Sequence, residues 1–178
     1  MKLDTTHIIL GQVPDVLIQN FINTIEELDW LVLDWRKSMI SHEGQYDSMV
    51  FRHAQSYLTE DIQNQPLFGK YESVLTPIID WLRIYYDVTN YVALLARLKP
   101  SSHVNRHADI TPFLEDIHRV HIPLVTNPLA CYEIDYETIE MPLGEAVEID
   151  NVRWHSAWNQ STTEDRVHLI INVYGDRL

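Results

Sequence analysis

Between residues 91 and 174 apolar and polar positions alternate in short runs separated by turn residues, which is the signature of half-buried strands. The pattern predicts strands over Tyr91–Leu98, Val104–Ile110, Ile117–Val125, Ala130–Ile134, Ala146–Ile149, Arg153–Trp158 and Arg166–Tyr174. Short, evenly spaced strands of this kind close into a barrel or jelly roll. The first 90 residues read differently. Thr5–Leu10 suggests a strand and Gly11–Pro14 a turn. Val16, Leu17, Phe21, Ile25 and Leu28 then recur at helical spacing, with Asp15 as the expected N-cap. A second helix is expected over Trp30–Ile40, a loop over Ser41–Asp47, a strand over Met49–Ala54 and irregular chain over Thr59–Gly69. Tyr71–Tyr86 carries Val74, Leu75, Ile78, Ile79, Leu82 and Tyr85 at spacings of three and four, an amphipathic helix. Because Pro77 interrupts it, the main helix is expected to begin there with Thr76 as N-cap. The expectation is one domain over 1–178, with a mostly helical flanking region at 1–90 and a β core at 91–178.

Composition narrows the classes. The 178 residues are 46% apolar, enough for a substantial core, and carry 13 basic against 26 acidic residues for a net charge of −13. With no basic run, neither nucleic acid nor an anionic membrane surface is an expected partner. A single cysteine, Cys131, allows no intramolecular disulfide and no thiolate metal cluster. The N-terminus shows no signal-peptide apolar core, and no uncharged run approaches the ~18 residues of a membrane span. A cytoplasmic location is expected; the oligomeric state is not legible.

The candidate chemistry lies between His103 and Tyr174. Six of nine histidines fall between His103 and His168. His107 and Asp109 form an H-x-D pair that would share one face of a strand. With His155, from a later strand, they supply the two histidines and one carboxylate that hold non-haem Fe(II) and leave coordination positions open. Eleven residues after His155, Arg166 leads the final strand, where Val167, Leu169, Ile171 and Val173 alternate against Arg166, His168, Ile170 and Asn172. A cation at the head of an inward face needs an anion, and a guanidinium fork suits a carboxylate. The alternatives are a surface histidine beside a loop aspartate, and a structural salt bridge for Arg166. Trp154 and Trp158 read as core aromatics or as a dry wall for the pocket. His103 and His118 read as non-ligands.

These residues carry a resemblance. Leu98-x-Pro100, His107-Ala108-Asp109, Arg119-Val120-His121-Ile122-Pro123-Leu124, Gly144-Glu145, Asp150-Asn151-x-x-x-His155-x-x-x-Asn159 and Arg166-Val167-His168-Leu169-Ile170 follow in an order that resembles the aspartyl/asparaginyl β-hydroxylase family of Fe(II)- and 2-oxoglutarate-dependent dioxygenases. The resemblance implies a double-stranded β-helix (jelly roll, cupin-like), mainly β with N-terminal helices packed on its major sheet. It implies His107 and His155 as iron ligands, with Asp109 where some members have the carboxylate ligand. Arg166 would bind the distal carboxylate of 2-oxoglutarate, and Arg119 and His121 would contact co-substrate or substrate carboxylate. Ala96 stands where some members place a serine hydroxyl against that distal carboxylate; His168 or another hydroxyl could replace it. The turn Ile110–Glu115 is longer than in some members and is expected to form part of a substrate lid.

The implied activity is hydroxylation of an sp3 carbon of an amino acid, free or within a peptide or protein, with 2-oxoglutarate converted to succinate and carbon dioxide. Two alternatives share the fold: a cupin-like metal- or sugar-binding protein, and a degenerate relative without oxygenase activity. For Arg119 a competing role is pairing with Asp109 or Glu115, which would position the iron ligand.

Overall fold

The alternating strands pair into two antiparallel sheets that face each other. The structure is a computed structural model describing residues 3–32, 46–54 and 61–178. The strands are β1 (His7–Gln12), β2 (Asp47–Ala54), β3 (Ile62–Asn64), β4 (Asn90–Leu98), β5 (Ser102–His107), β6 (His118–Val125), β7 (Ala130–Ile134), β8 (Glu137–Ile139), β9 (Glu145–Ile149), β10 (His155–Asn159) and β11 (Arg166–Tyr174). The major sheet runs β1-β9-β6-β11-β4-β2-β3, and the minor sheet runs β5-β10-β7-β8. This is the expected jelly roll. Three strands from the first 90 residues extend the major sheet, so that region does more than flank the core with helices.

The helices are α1 (Asp15–Thr24), α2 (Phe68–Leu82) and the short α3 (Pro112–Glu115), with a 3-10 helix over Glu27–Leu31. Asp15 is the first helical residue of α1 rather than its cap, which is Pro14. Its carboxylate still favours the positive end of the helix dipole. Helix α2 does not start at Pro77 but runs through it. Tyr71 and Leu75 lie on the same buried face as Ile78, Ile79 and Leu82, and burying that face outweighs the one backbone hydrogen bond Pro77 cannot donate. The expected irregular stretch near residue 65 instead holds β3 and the start of α2. The expected helix over Trp30–Ile40 falls mostly outside the described residues, as does the loop before β2.

The two faces of the major sheet differ in chemistry. Val120, Ile122, Val167, Leu169, Ile171 and Val173 are fully or almost fully buried against Ile18, Phe21, Leu75, Ile78 and Leu82 of the helices. A smaller apolar cluster, including Leu98, Tyr132, Ile134, Val147, Ile149 and Ala157, fills part of the space between the sheets. The remainder of that space is lined by polar residues. No described helix is long and apolar enough to cross a membrane.

Candidate metal and co-substrate site

His107 ends β5 and His155 opens β10, and the two pair directly across neighbouring strands. Register slips between this pair and the next, Ala157 opposite Val104, so β5 holds one extra residue. The bulge matters for the site. Val104 packs against the inter-sheet cluster, and regular alternation would send His107 to the opposite face. One inserted residue turns it inward instead.

Asp109 lies beyond the end of β5, so strand parity does not place it, contrary to the expectation. Its backbone N–H donates to the carbonyl of Asn151 at 2.9 Å, and that loop contact brings its carboxylate back to the histidines. Asp109 Oδ1 is 3.9 Å from His107 Nε2, and Oδ2 is 3.8 Å from His155 Nε2. One donor atom from each residue lies within 4.8 Å of the others. Two ligands of one ion at ~2.0–2.2 Å are at most ~4.4 Å apart, so a small side-chain rotation suffices to share a metal.

The histidine tautomers are also prepared. His107 Nδ1 lies 2.8 Å from the Asn105 carbonyl and His155 Nδ1 lies 2.9 Å from the Arg153 carbonyl. A carbonyl only accepts, so each Nδ1 carries the proton and each Nε2 presents a lone pair toward Asp109. Burial holds the His155 imidazole neutral, with its pKa down to about 4 although the Arg153 carbonyl opposes the shift. The donor set and its protonation therefore fit a divalent cation.

The parity expected for the last strand is observed. Arg166, His168 and Asn172 point between the sheets, away from the helices, and all three are buried. Arg166 is 5% exposed, and among the described residues no carboxylate pairs with it. Its guanidinium meets His168 Nδ1, 3.1 Å from Nη2, and the ring of Tyr132. Burial pushes this guanidinium down to about 10, leaving it charged at neutral pH with no carboxylate partner among the described residues. His121, on β6, packs edge-on against both Tyr132 and His168, and neither of its ring nitrogens has a hydrogen-bond partner among the described residues. Burial, reinforced by Arg166, holds His121 and His168 neutral.

For Arg119 the arrangement is that of the competing role, a pairing with Asp109. Arg119 donates through Nη1 to Asp109 Oδ2 and through Nε to Asn172 Oδ1 at 3.0 Å. Its guanidinium thus braces a candidate ligand through Oδ2, while Oδ1 of Asp109 faces His107. His118 has the opposite parity, as expected, and hydrogen-bonds Glu148 on the helix-facing side. His103 stands within β5, not before it, and is exposed. Neither tryptophan is a core residue: Trp154 is 56% exposed, and Trp158 is half-buried opposite His103 and Cys131, where it lines a surface pocket with Ser102 and His103 rather than the space around the candidate ligands.

The roles of two residues were not read from the sequence, although Asn151 stands in one of the quoted motifs. Asn151 receives the Asp109 N–H and donates through Nδ2 to the Leu114 carbonyl at 2.8 Å, so it ties the second ligand to the α3 turn. Nothing in local periodicity marks that role. Tyr132 belongs to the apolar cluster between the sheets and stacks on His155 at 6.0 Å and 13° between planes. Its position was available from the alternation of Tyr132 and Ile134 in β7.

Residues 32–175 match the family model for aspartyl/asparaginyl beta-hydroxylases. No curated protein sequence matches the chain. Among solved structures, an oxidoreductase of the 2OG-Fe(II) oxygenase family from Burkholderia pseudomallei is 11% identical with a TM-score of 0.65, covering 95% of this chain and 84% of its own. A prolyl-4-hydroxylase from Pseudomonas putida is 12% identical with a TM-score of 0.56, covering 97% and 94%. The viral collagen prolyl hydroxylase of Paramecium bursaria Chlorella virus 1, solved with 2OG, is 10% identical with a TM-score of 0.53, covering 96% and 98%. At these identities the structural likeness establishes a shared fold.

Proposed function

We propose, from the premise that the chain belongs to the aspartyl/asparaginyl β-hydroxylase family and is a Fe(II)- and 2-oxoglutarate-dependent oxygenase, that it hydroxylates an sp3 carbon of an amino acid, free or within a peptide or protein. His107, Asp109 and His155 are the residues that would hold the iron. When bound, the iron and 2-oxoglutarate supply the oxidation: the co-substrate loses carbon dioxide to become succinate, and one oxygen atom of O₂ enters the substrate C–H bond.

The protein's own residues bind, orient and exclude water. Arg166 grips the distal carboxylate of 2-oxoglutarate, because a buried guanidinium with no carboxylate partner among the described residues is costly until an anion arrives. This single observation carries the reading. His168 and His121, both neutral, contribute polar contacts along the cavity without adding charge. Arg119, in the reading the geometry favours, positions Asp109 rather than binding substrate. The α3 turn, tied to Asn151, forms part of the substrate-side rim.

The cupin-like binding alternative gives no reason for a buried cation aimed between the sheets. The single cysteine, Cys131, and a Fe(II) requirement both suit a reducing, cytoplasmic compartment. The test is succinate formation from 2-oxoglutarate with Fe(II), together with mass spectrometry of a cell extract for products gaining one oxygen atom. Absence of both, in protein shown to bind the metal, contradicts the proposal.

A further inference from the structure

Segment 109–114 runs from a candidate metal ligand into the α3 turn, and one residue holds both of its ends. Asn151 accepts the Asp109 N–H on its backbone carbonyl at 2.9 Å and donates from its side-chain Nδ2 to the Leu114 carbonyl at 2.8 Å. Asn151 is itself 1% exposed. It follows Asp150, whose N–H donates to the Thr6 carbonyl and whose carboxylate accepts from Arg153 Nε at 3.0 Å. The double pin therefore sits on an anchored part of the connection between β9 and β10.

The segment has little of its own to hold it closed. Helix α3 is 4 residues long, well below the roughly 12 residues at which a helix begins to stand alone in water. Its own turn rests on the Leu114 and Glu115 N–H groups, which both donate to the Thr111 carbonyl. At the far end Leu114 packs beside Ile117 and Tyr174, while in the middle Ile110 is 67% exposed and Thr111 is exposed as well. Short exposed segments of this kind open locally at low cost unless both ends are held. An ion that ligates Asp109 fixes one end, and the Asn151 amide carries that constraint to the other. From this double pin we infer that Asn151 is the positioning residue that couples metal binding to the closure of segment 109–114. The ion closes the segment, so the metal binds before the prime substrate, and a substrate that holds the segment closed tightens the ion by the same factor. This inference rests on the metal-site reading above.

The test is amide hydrogen exchange of the full-length protein, read by mass spectrometry with and without Mn(II), so that no turnover and no prime substrate are needed. In wild type, Mn(II) should slow exchange across 110–115 by about 3- to 10-fold, the worth of one neutral hydrogen bond. Asn151→Ala keeps the backbone carbonyl that Asp109 uses and removes only the bond to Leu114. Calorimetry should show that it still binds Mn(II), within about tenfold of wild type, while the Mn(II)-dependent slowing at 110–115 disappears. Asn151→Gln, which keeps an amide donor, should recover part of that slowing. Equal Mn(II)-dependent slowing in wild type and Asn151→Ala would make Asn151 a structural prop and overturn the inference. Wild-type protein that binds Mn(II) without any slowing at 110–115 would also overturn it, with no variant required, and would leave the function standing. Wild-type protein that binds no Mn(II), or binds it unchanged in both His107→Ala and His155→Ala, would remove the metal-site reading itself and the inference with it.

Discussion

Replacing Arg119 with glutamine separates a positioning role from an anion-binding one. The guanidinium donates to Asp109 Oδ2 and Asn172 Oδ1, so the variant frees a carboxylate that the wild type holds in place. The side chains of Arg119 and Asp109 are 14% and 16% exposed, well inside the range where a pair is more than a solvent-screened surface contact. Two effects then oppose each other. Removing a positive charge near the metal favours a cation, but releasing Asp109 costs orientation. Outer partners of metal ligands typically contribute 10- to 100-fold in metal affinity, or about 1.4–2.7 kcal/mol. Water reaching the rim screens the lost charge, so orientation should win. The assay is titration of Mn(II) or Fe(II) under anaerobic conditions into wild type, Arg119→Gln and Arg119→Lys. Metal affinity should fall at least about tenfold in Arg119→Gln and less in Arg119→Lys, which can reach only one of the two acceptors. An unchanged or tighter metal affinity in Arg119→Gln would refute the positioning argument and return Arg119 to substrate binding.

Other perturbations have equally definite outcomes. Arg166→Ala should cost roughly 2–5 kcal/mol in 2-oxoglutarate affinity, and Arg166→Lys should recover little because an ammonium cannot form the fork; apparent affinity measured by succinate release checks both. Ile171→Ala, on the opposite face of the same strand and fully buried against the helices, should destabilise the fold by about 2–5 kcal/mol without changing co-substrate affinity, as denaturant melts and calorimetry would show. His118 is neutral in the fold, its pKa lowered to about 4 mainly by burial and secondly by Arg177, which already neutralises Glu148. The unfolded chain therefore binds more protons between about pH 6.5 and 4, so stability contributed by neutral His118 is full above about 6.5 and lost as pH falls toward 4. Urea melts of metal-free protein should show that loss, with a shallower slope in His118→Gln; identical slopes would contradict it.

Much of the site was legible because strand alternation is a local signal. Arg166, His168 and Asn172 could be set on one face, and Arg119 and His121 on another, from parity alone. The pairing of Asp109 with His107 was expected for the wrong reason. Strand β5 ends at His107 and contains a bulge, and a one-residue insertion cannot be read from Ser-His-Val-Asn-Arg-His. What returns Asp109 to the histidines is a backbone hydrogen bond to Asn151, a contact between residues 42 positions apart that no periodicity encodes. For Arg119, strand parity left anion binding and pairing with Asp109 or Glu115 both open, and the fold brings its guanidinium to Asp109 Oδ2. Pro77 misled in the other direction. A local rule against proline in helices lost to five buried side chains on one face of α2.

The central claim is that His107, Asp109 and His155 hold one metal ion that the 2-oxo acid joins. The most direct test is anaerobic Fe(II) binding at equilibrium, with and without 2-oxoglutarate, in wild type and in His107→Ala and His155→Ala. The account predicts one equivalent bound by the wild type, tighter when 2-oxoglutarate is present, and loss of that site in each variant. One equivalent bound with unchanged affinity in both variants would contradict it.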